Sequence, residues 1–295
     1  MSSKLGPVSR LAAAATLACA ALTGGAAHAG VLFDYGSFAG LCGTSALTCV
    51  GNTAESGTDL RLTPATSSQS GAGYSTSAIT LGASATFSTQ FQFRITNSGG
   101  INPADGLTFV VSKGVGGLGS GGGGLGYLGV PNSVAIEFDT YDNGDIDGFS
   151  SNHVGVDTNG NINSVFRANP YGKVTCDFGG TTFHTAAGCM SNGNVWTVVI
   201  SYDGALLDVT VKDGSAAAIT LIDDYAIDIA SILGTTTAFV GFTSGTGGGW
   251  GNHDILNWKL ANDTSITPGV PEPGSLALVA LALLGSGLAL RKRQA

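Results

Sequence analysis

The chain has 295 residues, of which 47 are Gly and only 11% are charged, and its 20 Asp and Glu against 12 Lys and Arg give a formal charge of −8. That length is ample for a sizeable core, and the scarcity of charged, helix-favouring stretches points to one large all-β domain with processing segments at its ends. The acidic balance argues against nucleic acid as a partner.

Residues 1–29 carry Lys4 and Arg10, an apolar run over 11–22, and Ala27-His28-Ala29 before Gly30, the layout of a secretory signal peptide with its cleavage site. Cys19 lies inside it and is read as a passenger, because Thr16 stands where a lipoprotein leader needs an aliphatic residue. From Phe33 onward, short apolar alternations are separated by Gly, Asn, Ser and Thr clusters at regular intervals, which predicts a sandwich or barrel. The clearest predicted strands are 60–63, 78–81, 85–95, 107–111, 195–200, 206–211, 218–222, 238–242 and 255–260, and 223–233 is the one predicted helix. Residues 30–262 therefore read as one unit, with 263–269 as a polar spacer.

Four cysteines fall in that unit, an even count that suggests disulfides in an exported chain. Of the three connectivities the expected one is Cys42 with Cys49 and Cys176 with Cys189, each pair bracketing a short Gly/Thr-rich loop. The tract 114–129 is nearly bare of functional side chains, so it is either a linker or a loop whose backbone approaches a ligand closely. It lacks the Lys-Ser/Thr of a nucleotide loop, which argues against phosphate binding.

The stretch 132–157, NSVAIEFDTYDNGDIDGFSSNHVGVD, opens as a strand and then crowds together Glu137, Asp139, Asp142, Asp145 and Asp147. Such crowding calls for a cation or open solvent. In a strand residues i and i+2 share a face, so Glu137 and Asp139 project together with Tyr141 next on that side. Beyond Tyr141 the Asp, Asn and Gly content means a loop that folds back, bringing Asn143, Asp147 and the Tyr141 carbonyl toward the same ion. Oxygen ligands of this kind suit calcium, whereas His153 beside two carboxylates suits a transition ion such as manganese or zinc. The alternative is a solvated acidic turn between two strands.

These residues resemble the metal loop of the legume (L-type) lectins. The resemblance implies that Glu137 and His153 bind the transition ion, that Asp139 and Asp147 bridge both ions, and that the Tyr141 carbonyl and Asn143 bind calcium. It extends in chain order through Tyr74–Ile79, Phe87–Phe91, Ala104-Asp105-Gly106 and Gly241-Phe242 to His253–Trp258. The implied fold is a concanavalin-like jelly roll of two large antiparallel sheets. Asp105 is either an ordinary turn residue before a strand or, as the resemblance implies, a sugar ligand after a cis peptide bond held, through water, by the calcium, with Asn143 beside it; the Tyr141 ring either offers its flat apolar face to the sugar or packs as core. A glycine N–H from Gly124 or Gly126 donates to the sugar, and Gly248 and Gly249 lie in the last loop, where this family varies its specificity. Trp250 either borders that pocket or packs as core.

At the other end, Val270-Pro271-Glu272-Pro273-Gly274 precedes an apolar run over 276–290 and the basic Arg291-Lys292-Arg293. The run is short of the roughly 20 residues a spanning helix needs. Residues 270–295 resemble the PEP-CTERM sorting signal of Gram-negative bacteria. That resemblance implies transient membrane insertion and removal by an exosortase-type protease; the alternative is a permanent transmembrane anchor. Loss of both ends leaves 7 basic against 19 acidic residues.

The expected function is therefore non-catalytic, calcium-supported binding of carbohydrate, an exopolysaccharide or surface glycan, by a secreted or cell-surface protein. Whether two sandwiches pair as a homodimer is left open. One alternative is a matrix or adhesion protein that has lost its sugar. Another is a jelly-roll glycoside hydrolase built on Glu137, Asp139 and Asp142, a reading that gives Asn143, Asp147 and His153 no role.

Overall fold

The computed structural model describes residues 30–81, 86–262 and Ile266. The expected leader, most of the spacer and the apolar tail lie outside these residues. Sixteen strands run in chain order: β1 (Val31–Tyr35), β2 (Leu47–Gly51), β3 (Ala54–Ser56), β4 (Asp59–Thr63), β5 (Ser70–Ser75), β6 (Ile79–Thr80), β7 (Phe87–Gly100) and β8 (Gly106–Ser112). They continue as β9 (Ser133–Asp139), β10 (His153–Thr158), β11 (Asn161–Ala168), β12 (Trp196–Tyr202), β13 (Leu206–Asp213), β14 (Ile219–Ala226), β15 (Thr237–Gly245) and β16 (Gly249–Ala261).

They form two antiparallel sheets of eight, ordered β14-β13-β12-β7-β16-β4-β3 with β1 on β16, and β11-β10-β9-β8-β15-β5-β2 with β6 on β15. The alternation of β7 explains its place at the centre of the first sheet. Phe87, Phe91, Phe93 and Ile95 point inward and are buried, while Gln90, Gln92 and Arg94 point outward. Between the sheets, Phe91 meets Phe242 at 4.9 Å, Phe93 meets Phe138 at 5.4 Å and Phe242 meets Trp258 at 4.7 Å, each ring pair adding about 0.5–1.5 kcal/mol beyond its burial.

The second sheet is covered on its other face as well, so β8 and β9 are buried at every residue. The cover is the glycine tract, which is an ordered loop and no linker. It drops Leu125 and Tyr127 onto the sheet, and Thr243 Oγ1 donates to the Leu125 carbonyl at 2.8 Å. The two disulfides join Cys42 to Cys49 and Cys176 to Cys189. One expectation needs correction: the helix over 223–233 shrinks to α1 (Ile229–Leu233). Residues up to Ala226 continue β14 instead, because β13 offers a pairing edge, and the Asp228 carboxylate starts the helix by accepting the Ser231 N–H at 2.9 Å.

Candidate functional site

Register places the acids. In β9 and β10 Asp139 lies opposite His153, Glu137 opposite Gly155 and Ala135 opposite Asp157, while Gly106 of β8 pairs with Asp139 from the other side. Glu137, Asp139, His153 and Asp157 therefore share the outer face of the second sheet, and each is at most 2% exposed. Ligand atoms of Glu137, Asp139 and His153 lie within 4.8 Å of one another. The missing side chain at Gly155 makes room: a Cβ there would collide with the Glu137 carboxylate and the Ser164 hydroxyl. His153 Nε2 is 2.9 Å from Glu137 Oε1, and its Nδ1 is 3.3 Å from the Ser150 carbonyl, a partner that orients the ring.

The loop after β9 folds back as the composition suggested. Asp139 Oδ1 accepts the Tyr141 N–H at 2.7 Å, and a single 3-10 turn, Gly144–Asp147, returns Asp147 to accept the Asn143 N–H at 2.5 Å. Asp147 is buried, whereas Asp142 and Asp145 are exposed and stand apart from the cluster.

So many acids out of water distort one another's protonation. Burial pushes Asp139 well up, aided by the charges of Asp147, Glu137 and Asp105. Burial likewise pushes Asp157 well up, with Glu137 alongside, and Asp147 up to about 6. Glu137 goes the other way: burial opposes its charge, but His153, Asp157 and Ser164 together hold it below the ordinary value. Neither oxygen of Asp157 has a well-formed hydrogen bond.

Asp105 stands at the mouth of the same region. The Ala104–Asp105 peptide is cis, the Asp105 N–H donates to the Gly245 carbonyl at 3.2 Å, and its own carbonyl accepts the Thr140 N–H at 2.9 Å. Asp105 is 4% exposed, and its Oδ2 has no well-formed hydrogen bond. Burial pushes the group up to about 7, opposed by the Gly247 backbone amide and assisted by Asp147. Beneath it, a polar relay crosses from β16: His253 Nδ1 meets Thr63 Oγ1 at 2.7 Å, Thr63 meets Ser244 Oγ at 2.9 Å, and Ser244 donates to the Gly106 carbonyl at 2.7 Å.

The glycines differ from expectation. The N–H groups of Gly124 and Gly126 are taken by the carbonyls of Gly121 and Ser120, at 3.1 and 2.8 Å. Gly123 is the one that faces Asn143, since a Cβ on it would lie 2.7 Å from Asn143 Oδ1. In the last loop Gly247 faces Asp105, with 3.3 Å between a built Cβ and Oδ2. Gly248 is exposed at the lip, but Gly249 is buried beneath the Asp105 turn, where a Cβ would come within 2.8 Å of Ala104 Cβ. Trp250 packs against Gly99 and Gly100. A cleft of about 330 Å³ opens from Gly122 and Gly247 toward Ser68. Tyr141 is half-buried and Asn143 exposed beside it.

Sequence reasoning passed over Asp157, Ser164, Gly123 and Gly247. Asp157 had a signal, since it sits in period with His153 and Gly155; the glycines had none.

The profile of the legume lectin domain matches residues 31–273, which is most of the chain. The chain belongs to the legume lectin domain family. Among curated relatives of this lectin domain, the L-type lectin-domain containing receptor kinase VIII.1 of Arabidopsis thaliana is 32% identical over 185 residues, 60% of this chain but 23% of that protein. The leucoagglutinating phytohemagglutinin of Phaseolus vulgaris is 33% identical over 63% of this chain and 64% of its own length. Peanut lectin, solved with a 9mer peptide, superposes with a TM-score of 0.63 at 25% identity, over 80% of this chain and 98% of its own, and gives the two-sheet jelly roll directly. A second profile, the PEP-CTERM protein-sorting motif, matches residues 269–294. Among the described residues no helix is long and apolar enough to cross a membrane.

Proposed function

We propose that this chain is an exported, non-catalytic lectin that binds carbohydrate between Asp105, Asn143 and Tyr141, with the site held in shape by calcium and a neighbouring transition ion such as manganese. One observation carries the reading: a buried carboxylate oxygen of Asp105 without a well-formed hydrogen bond lies against Gly247, which lines the cleft, and beside a cluster of buried acids. An acceptor left without a donor costs about 1–3 kcal/mol unless something else supplies the hydrogen bond, and sugar hydroxyls would.

The donor chemistry fits the ions. Glu137, Asp139 and His153, whose ligand atoms lie within 4.8 Å of one another, would hold a transition ion by oxygen and nitrogen, and Asp139, Asp147, the Tyr141 carbonyl and Asn143 would supply oxygens to calcium. When bound, the ions supply the positive charge that lets these carboxylates ionise together. The chain's own residues then do the binding. Asp105 and Asn143 take hydroxyls, Tyr141 offers a flat apolar face, and Gly122, Gly123 and Gly247 let the ligand approach the backbone.

Residues 30–262 act as the binding unit. The leader 1–29 directs export, and the segment 270–295 inserts transiently into the membrane of a Gram-negative bacterium until an exosortase-type protease removes it. The glycan is an exopolysaccharide or a surface glycan.

The test is a glycan array probed with calcium and manganese and again in EDTA, using the wild type, Asp105→Ala and Asn143→Ala. Binding should disappear in EDTA and at pH 4 and fall about 100-fold or more in both variants. Unchanged binding at pH 4 and in chelator would contradict the metal-supported site. Metal uptake with no glycan bound would favour a structural matrix protein.

A further inference from the structure

One wall of this region belongs to neither sheet. Between β11 and β12 the chain makes a long excursion closed by the Cys176–Cys189 bridge. A single buried side chain pins both ends of it. Asn152 Nδ2 donates to the carbonyls of Lys173 at 2.8 Å and Gly188 at 3.0 Å, and its Oδ1 accepts the Met190 N–H at 2.9 Å. Asn152 immediately precedes His153 in the acid cluster. On its far side, the Phe178 N–H donates to Asn102 Oδ1 at 3.1 Å. Asn102 is three residues from Asp105, so their Cα atoms are at most about 11 Å apart. The disulfide loop thus abuts both the acidic loop and the turn that carries Asp105.

What the loop shows to solvent is aromatic. The His184 ring meets Phe178 edge-on at 4.9 Å and Phe183 at 4.8 Å, and Phe183 is 52% exposed. Phe178 and Phe183 belong to neither apolar cluster of the fold. The neighbouring segments add Phe149 at 64% exposure and Ile101 at 63%, the latter 3.3 Å from a Cβ built on Gly248 at the lip. Holding the loop in place does not require these rings, because the bridge and Asn152 already do so. Large apolar side chains gathered at the edge of a cleft, with polar groups inside it, mark a binding surface. Asn102 and Ile101 connect the loop to Gly248 and to the turn that carries Asp105, and that link identifies what covers it, since the apolar faces of pyranose rings match exposed phenyl rings.

We propose that the Cys176–Cys189 loop forms a second glycan subsite, in which Phe183 and Phe178 pack against a sugar ring one or two units along from the ring held by Asp105. The preferred partner is then an oligosaccharide or polysaccharide chain in place of a terminal monosaccharide. This rests on the lectin reading above and extends it.

The probe is an array carrying galactose, N-acetylgalactosamine, glucose and mannose, each as a single residue and as the end of a linear tetrasaccharide. The full exported protein is applied with calcium. The wild type should bind at least one tetrasaccharide about tenfold more tightly than the matching monosaccharide. Phe183→Ala should erase that gain, leaving monosaccharide affinity and bound calcium unchanged, and Phe183→Tyr should keep it. Equal affinity of the wild type for both lengths overturns the subsite and leaves the lectin reading intact, as does a gain that survives in both Phe183→Ala and Phe178→Ala. No glycan bound by the wild type overturns both.

Discussion

Among the described residues two groups of side chains meet the spacing a metal ion needs, Glu137-Asp139-His153 on β9 and β10 and Asp208-Asp223-Asp224 on β13 and β14. Their surroundings differ. The second is at the surface, with Asp223 and Asp224 exposed, and Asp208 already accepts the Asp224 N–H at 2.7 Å and the Ser201 hydroxyl at 3.3 Å. Exposed carboxylates keep their hydration and need no counter-ion. The first is buried under the loop that follows β9 and beside Ser164 of β11, where water cannot screen it, and burial raises Asp139, Asp147 and Asp157 together. Spacing alone makes a cluster; burial turns it into a demand for a cation.

The widest separation between the two should come from neutralising one acid in each. Asp139→Asn is expected to cut calcium affinity by about 100-fold or more, and to raise the melting temperature of the chelated protein, because it removes a charge that its neighbours repel. Asp223→Asn should leave metal content unchanged and stability within about 0.5 kcal/mol. Calorimetric titration with calcium and melting in EDTA read both, and equal calcium affinity of Asp139→Asn and wild type would remove the distinction.

A second contrast is in pH. In the chelated protein Asp105 sits at about 7 and Asp147 at about 6, with Asp139 and Asp157 also raised, against 3.8 for the unfolded chain. Between about pH 7 and pH 4 the folded chain therefore holds more protons than the unfolded one, and its stability should grow as pH falls. Groups shifted the other way oppose this. His253, which burial pushes down to about 3 from 6.5, favours the unfolded chain below pH 6.5, and the lowered Glu137 and Glu55 do so below their ordinary 4.5. Four raised acids outweigh them over most of the window. With calcium in excess the slope should reverse, since protons then compete with the ion. Melting curves across that range, in EDTA and in calcium, would show slopes of the same sign if the cluster were not the cation site.

How much of this was legible follows from what each residue advertises. Strands such as β7, β9, β12 and β16 carry an alternation of large apolar side chains that an extended strand explains, and the acids of 137–147 betray themselves by charge. β5 reads SGAGYS and has no such alternation, because Gly71 must lie against the Leu62 carbonyl and Gly73 against the Leu60 side chain. β11 is a polar edge strand whose pairing to β10 is a tertiary fact. In the site, the choice among Gly123, Gly124 and Gly126 depends on which N–H the loop uses internally, and a run of identical residues cannot encode that. Asn152 looks like any loop asparagine until its three partners, far along the chain, are seen.

A smaller effect tests the packing behind the acids. Gly155→Ala places a methyl group against Glu137 and Ser164, so the Glu137 carboxylate must turn; affinity for manganese should fall about tenfold, with calcium affected less. Competition with a chromogenic chelator separates the two ions. An equal loss for both would mean that the substitution moved the strand rather than the carboxylate.

The smallest effect comes from a buried acid outside either cluster. Asp213 is 4% exposed, yet three neutral donors reach it, the Gly188 N–H at 2.7 Å, Asn192 Nδ2 at 2.9 Å and Asn194 Nδ2 at 2.7 Å. Burial with donors makes this acid a fastener, not a ligand. Asp213→Ala strands those donors and should lower unfolding free energy by about 1–3 kcal/mol with calcium affinity unchanged. Gly188 is also held by Asn152, so the disulfide loop keeps one of its two ties to the fold at that point. If calcium affinity fell with Asp213→Ala, strain would be passing through Gly188 and Asn152 to His153, and the fastener and the metal site would have to be treated as one unit.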